Sequence, residues 1–207
     1  MPKISLNELN KSLRQCRIGI DSDEIDNTPR IRVHHIHDWN HGYDGAYGIA
    51  VNADGSYAND NSNFYGTRRE FYKDMCEINK FLLEYFHIRS IRELIIAPFY
   101  QYNQFSFNAE KNDIYEEIYT FLRKNGVRKN ERSGIAIDFN ENISEIEMVM
   151  EGAFRGISEL CIFVPTQKLL IVPDHHFGIT FFTQQVEKEK EFISELLERF
   201  QNVIFHK

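Results

Sequence analysis

The chain has 207 residues and a net charge of −7, with 42% hydrophobic and 27% charged residues, enough for one well-buried core and short for two. No run approaches the ~20 consecutive apolar residues of a membrane span, and the N-terminus lacks the apolar core of a signal peptide, so a cytoplasmic protein is expected. An acidic surface repels nucleic acid, whose binding depends on Lys and Arg neutralising phosphates.

The first helix opens at Ser5, which forms a capping box with Glu8, with Ile4 and Leu9 at the staple positions. Leu6, Leu9, Leu13 and Cys16 continue it as one apolar stripe. A short strand is expected at 16–20. A half-buried strand follows at 31–36, with Ile31, Val33 and His35 on one face and Arg32, His34 and Ile36 on the other. Residues 37–66 are irregular, rich in Gly, Asn and Asp. They hold the single tryptophan, Trp39, beside Tyr43, and an Asp54-Gly55 turn suggests a hairpin over 47–58.

The clearest helix spans 68–86, with a Thr67/Glu70 capping box and a stripe of Phe71, Met75, Ile78, Leu82 and Tyr85. A strand is expected at 92–99, with 104–108 as a hairpin partner. A second helix spans 114–124, with Ile114, Ile118, Phe121 and Leu122 on one face and Asn125-Gly126 as its stop. Residues 134–139 alternate as a strand. Residues 142–152 fit both periods: Ile143, Ile146, Val149 and Met150 suit a helix, while Ile146, Met148 and Met150 alternate. A strand is preferred there, because it would continue a meander into residues 160–164.

Three apolar runs then follow at 160–164, 169–172 and 179–182, punctuated by Pro165 and by the Pro173 to Gly178 connection. They read as buried strands in the middle of a sheet. A charged helix at 186–200 and an apolar segment at 203–205 close the chain. The expected architecture is a single α+β domain over 1–207, a largely antiparallel sheet with helices packed mainly on one face. Three scattered cysteines, Cys16, Cys76 and Cys161, suggest buried free thiols in a reducing compartment.

The charge is unevenly placed. Residues 138–207 carry twelve acidic and six basic side chains, and the rest of the chain is nearly neutral. Between residues 133 and 154 there is no Lys or Arg, while Asp138, Glu141, Glu145, Glu147 and Glu151 are all present. On a strand, Glu145, Glu147 and Glu151 would share a face. Uncompensated like charge weakens a fold slightly, so the run is either a solvated surface or a docking face for a basic protein partner. Trp39 and Tyr43 are further candidates for partner contact.

Six of the eight histidines fall in two runs, His34 to His41 and His175-His176. His35, His37 and His41 with Asp38 and Asp44 offer imidazole and carboxylate suited to Zn²⁺ or Mn²⁺. No HExxH, CxxC or helical HxxxD pair accompanies them, so no metal and no cofactor is expected. Asp174, His175 and His176 resemble, over three residues, the Asp-His-His signature of DHH-type phosphoesterases. That resemblance implies a metal-dependent hydrolase. Those enzymes carry further Asp-rich motifs ahead of it, for which Asp21-Ser22-Asp23 is the single candidate. A tight turn also accounts for Asp174 and Gly178 without catalysis.

No GxSxG, phosphate loop or GxGxxG is present. The closing plan over 171–200, strand, tight Pro-Asp turn, strand and acidic helix, resembles the immunity proteins of bacterial polymorphic toxin systems: small, acidic, aromatic-rich α+β proteins without catalytic motifs. The resemblance implies a binding module that neutralises a toxin, often a nuclease, by occluding its basic cleft.

Overall fold

Apolar runs of four to six residues bounded by Pro and Gly are too short for helices and must share backbone hydrogen bonds with neighbours. In the computed structural model, which describes residues 1–19, 22–36, 68–99, 113–128, 131–154, 158–174 and 177–206, they do so as strands. These are β1 (Lys3–Ile4), β2 (Arg30–His35), β3 (Glu93–Pro98), β4 (Gly134–Asp138), β5 (Leu160–Val164), β6 (Leu169–Asp174), β7 (Gly178–Phe182) and β8 (Val203–Phe205). They form one sheet in the order β1-β4-β3-β5-β6-β7-β2-β8, with each neighbouring pair antiparallel. The three runs expected at the centre, β5 to β7, occupy the fourth to sixth places. β5 is buried on both faces, which is why it reads as continuous hydrophobic sequence.

The described helices are α1 (Leu6–Gln15), α2 (Ser22–Asp26), α3 (Arg68–Ile88), α4 (Asp113–Lys124), α5 (Ile143–Phe154) and α6 (Val186–Leu197). Strand alternation divides the core in two. Leu94, Ile96, Ile135, Ile162, Ile171 and Ile179 point to the face covered by α3, α4, α5 and α6. Ile95, Ala97, Ala136, Phe163, Leu170 and Phe182 point to the opposite face and meet Leu9 and Leu13 of α1 and Ile25 of α2. The α+β fold with helices mainly on one face is therefore as the sequence predicts.

Helix ends follow their local chemistry. The Ser5 hydroxyl accepts from the Glu8 amide at 3.3 Å and the Glu8 carboxylate accepts from the Ser5 amide at 2.9 Å, a complete capping box. At the end of α4, Gly126 adopts φ 80° while Val127 N donates to Leu122 O at 2.9 Å and Gly126 N donates to Arg123 O at 3.0 Å. This is the left-handed stop that a glycine permits. Met75, Ile78, Leu82 and Tyr85 of the α3 stripe are all buried.

Two local expectations are corrected. Residues 16–19, the described part of the strand expected at 16–20, are not a strand: Cys16 caps α1, Arg17 turns at φ 56°, and Ile18 N donates back to Leu13 O at 3.0 Å. A Cβ on Gly19 would lie 2.2 Å from the α2 backbone at Glu24 and Ile25, so the chain folds back there instead of extending.

The second correction is larger. Residues 142–152 are not a strand: from Ile143 they belong to α5, which buries Ile146, Val149, Met150, Ala153 and Phe154. The reason lies in the sheet. β5 already pairs with β3 on one side and β6 on the other, leaving no edge for a preceding strand, and the helical stripe packs against α3 and α4 instead. The hairpins expected over 47–58 and at 104–108 lie outside the described residues. The three cysteines are free; Cys161 is buried and Cys16 half-buried, but Cys76 is exposed, contrary to expectation. Among the described residues no helix is long and apolar enough to cross a membrane.

Candidate functional site

Helical geometry redistributes the acidic run. Successive helical residues turn by about 100°, so Glu145 and Glu147 diverge while Glu147 and Glu151, four apart, stand together. The latter pair flanks α3: the Tyr72 hydroxyl donates to Glu151 Oε1 at 3.4 Å. The thiol of Cys76 is held above its ordinary value, first by partial desolvation and then by Glu147 and Glu151. Glu145 lies on the other side of α5, facing α4. Asp138 ends β4 and accepts from the Asn140 amide at 2.9 Å, a turn-forming role, and Glu141 is exposed in the same turn. Glu145, Glu147 and Glu151 thus do not share the single face that strand alternation implies, and Asp138 and Glu141 lie in the turn ahead of α5.

Between α4 and α5 lies a groove of about 500 Å³. Gly152 sets the approach of the two helices, since a Cβ there would stand 2.4 Å from Ile118 Cδ1. Toward the start of α5 the groove is floored by Phe121 and Met148 and walled by Glu116, Glu117 and Glu145, with Lys124 as the single cation lining it among the described residues. Sequence reasoning missed Glu116 and Glu117. They fall on the polar side of the stripe formed by Ile114, Ile118 and Phe121, and that amphipathic pattern was the signal available for them.

The histidine runs meet a sheet that separates neighbouring side chains. His35 points to the helical face and is buried. Its Nε2 lies 3.3 Å from Glu77 Oε2 and 3.8 Å from Asp74 Oδ1. Glu77 also accepts from Asn202 N at 3.1 Å and Asn202 Nδ2 at 2.9 Å. Burial pushes the Glu77 carboxyl up, but the bonds from Asn202 and His35 outweigh it and hold the group below its ordinary value. This cluster fastens the start of β8 to α3.

His34 points to the opposite face. Its ring meets His206 edge to face at 5.2 Å, and beside it Arg32 donates to Asp174 Oδ2 at 2.9 Å. Gly178, in register with both His34 and Asp174, leaves room for this pair: a Cβ would come within 2.8 Å of Asp174 Oδ2 and 3.0 Å of the Arg32 guanidinium, so both side chains would have to shift. Burial first, then the charges of His206 and Arg32, lower the His34 pKa to about 4, so the ring is neutral at pH 7. The residue before Gly178, Phe177, adopts φ 49° and seats its ring against Phe154 at 5.5 Å.

His34 of the first run and Asp174, which precedes the second, therefore converge at one end of the sheet, joined by Arg32 and His206. Period-two alternation on β2 placed Arg32 beside His34, but nothing in the sequence pointed to His206. His35 and Asp174 stand on opposite faces and do not share a site, and the Asp174 carboxylate is engaged by a guanidinium. Among the described residues no three His, Cys, Asp or Glu side chains are arranged to hold a metal ion. Trp39, Tyr43, His37, His41, His175 and His176 lie outside the described residues.

One further polar group is enclosed in the helical face. Tyr85 donates to Glu189 Oε1 at 2.6 Å, and Arg89 donates to Glu189 Oε2 and to Gln167 Oε1, both at 3.0 Å. The Arg89 guanidinium lies over the Phe192 ring at 4.8 Å. Burial and the adjacent carboxylate raise the Tyr85 pKa above its ordinary value. The network is closed on itself and ties α3 to α6.

Comparison with known proteins identifies no relative: no family model, no curated protein and no solved structure matches the chain.

Proposed function

We propose that this chain is a protein-binding module of the immunity type, which neutralises a basic partner such as a toxin nuclease by covering its substrate cleft. The observation that carries the reading is the concentration of acid on and beside α5. Glu145, Glu147 and Glu151 lie on α5, a helix without a basic residue, with Glu141 just ahead of it and Glu116 and Glu117 across the groove on α4. A nuclease cleft is basic because it must neutralise phosphates. An acidic face opposite it accelerates encounter and disfavours wrong partners. Coexpression with the products of the genes flanking its own tests the reading. Protection from a toxic neighbour, together with a complex that survives gel filtration, supports it. Absence of both protection and complex overturns it.

A second reading is a metal-dependent, phosphoesterase-like hydrolase using the histidine runs, and the observation in its favour is that His34 of the first run lies near Asp174, which precedes the second. Elemental analysis of the purified chain separates the two. About one Zn²⁺ or Mn²⁺ per chain, lost on His34→Ala, favours the hydrolase.

A further inference from the structure

We infer that the groove between α4 and α5 seats a short basic segment of the partner, one that carries an apolar side chain between its Lys or Arg residues. The inference rests on the proposed binding function and names the contact that performs it. Two features of the groove select this occupant. Its floor is apolar, with Phe121 largely covered and Met148 half-buried. Methionine adapts its shape to the side chain placed against it, as befits a surface that receives a partner. Among the described residues its walls are acidic, three glutamates against one lysine.

Position within the groove decides which charges count most. Glu145 is half-buried, whereas Glu147 is exposed. A cation placed against Glu145 is less screened by water and salt than one placed against Glu147. An apolar residue set on Phe121 and Met148 removes water from that ion pair as well. The volume, about 500 Å³, is within the range of side-chain and small-ligand clefts. Nucleic acid is repelled by the same walls. A second copy of this chain brings net charge of −7 to the groove and meets it with like charge.

The experiment is an amide NMR titration of the full chain with two synthetic octapeptides of equal charge. One alternates Lys and Arg with Leu, and the other replaces each Leu by Gly. The Leu peptide is expected to shift Thr120, Phe121 and residues 144–148, and to bind about tenfold more tightly than the Gly peptide. Replacing Glu116, Glu117 and Glu145 together by Gln is expected to weaken it by about tenfold, and the pair Glu147→Gln and Glu151→Gln by less than about twofold.

Equal losses in the two variants overturn the inference, because the face then acts only by its overall charge. Shifts mapping elsewhere, or groove shifts that grow with protein concentration without peptide, overturn it too, the latter identifying a second copy as the occupant. Failure here is distinct from failure of the binding function. If the peptide ignores the groove while the chain still protects against a neighbouring gene product, only the groove assignment falls. If the peptide seats but no neighbouring product binds, the groove stands and the immunity reading falls.

Discussion

On the helical face of the sheet, Tyr85 and Phe81 of α3 meet Phe181 at 5.3 and 6.5 Å, and Phe192 of α6 closes over Tyr85 at 5.5 Å. On the opposite face the described cover is a ten-residue α1 and a five-residue α2. Beyond them the strands end in Arg32, His34 and Asp174 instead of apolar side chains. Both faces belong to the same strands, with His34 and His35 adjacent on β2. The difference shows that polar side chains on the helical face are locked into pairs that fasten helices. On the thin face they gather at a sheet end. Chemistry and packing are thus divided by the pleat, and substitutions on the two faces should fail in different ways.

The largest effect is expected from Leu82→Ala. Leu82 is fully buried at the centre of the helical face, and truncation there should cost about 2–5 kcal/mol, with Met75→Ala in the same range. Leu9→Ala on the thin face should cost nearer ~2 kcal/mol, because a short ten-residue helix can shift to close the cavity. Urea melts compare the three. A Leu9 variant that loses as much as the Leu82 variant would break the contrast.

Next comes Glu189→Gln, which leaves the Arg89 guanidinium, 15% exposed, without its counter-charge. About 2 kcal/mol is expected, below the usual cost of breaking a buried pair because Gln keeps hydrogen-bonding capacity. Thermal melts that show no change would mean that the network contributes packing alone.

A pH series sharpens the contrast further. His34, lowered to about 4, favours the neutral ring in the fold; its contribution is complete above the ordinary 6.5 and is lost as pH falls from there to about 4. Glu159, just ahead of β5, is raised to about 7 by burial, so its contribution is complete below 4.5 and is lost as pH rises from there to about 7. Each slope is bounded by ~1.4 kcal/mol per pH unit and reduced by solvent screening. Melting temperatures of His34→Gln should flatten the acid limb, and those of Glu159→Gln should raise stability at pH 7 but not at pH 4. Both variants tracking the parent protein across the series would remove the titration argument.

The smallest effect on stability is expected from Glu145→Gln, Glu147→Gln and Glu151→Gln combined, within about 0.5 kcal/mol of the parent and on the stabilising side if like-charge repulsion is relieved. Its effect belongs to association: complex formation with a basic partner should slow, and the salt dependence should flatten, as stopped-flow at two ionic strengths would show. An unchanged rate and salt dependence would mean that the acid serves only as a solvated surface.

The sequence by itself determined the elements whose pattern is local. Ser5 and Glu8 announced α1, the Met75 to Tyr85 stripe announced α3, Gly126 stopped α4, and the β5 to β7 runs announced central strands. Capping, periodicity and turn chemistry act over a few residues and are written in them. Residues 142–152 satisfied both periods, and only the sheet decided between them, because the places beside β5 were already taken by β3 and β6. That decision moved Glu145 away from Glu147 and beside Glu116 and Glu117, an arrangement no spacing in the chain encodes. The same holds for Arg32, Asp174 and His206, brought to one sheet end by strand order across most of the chain's length. A fold's local signals are short-range, whereas a site is an intersection of distant segments, so the elements were legible where the sites were not.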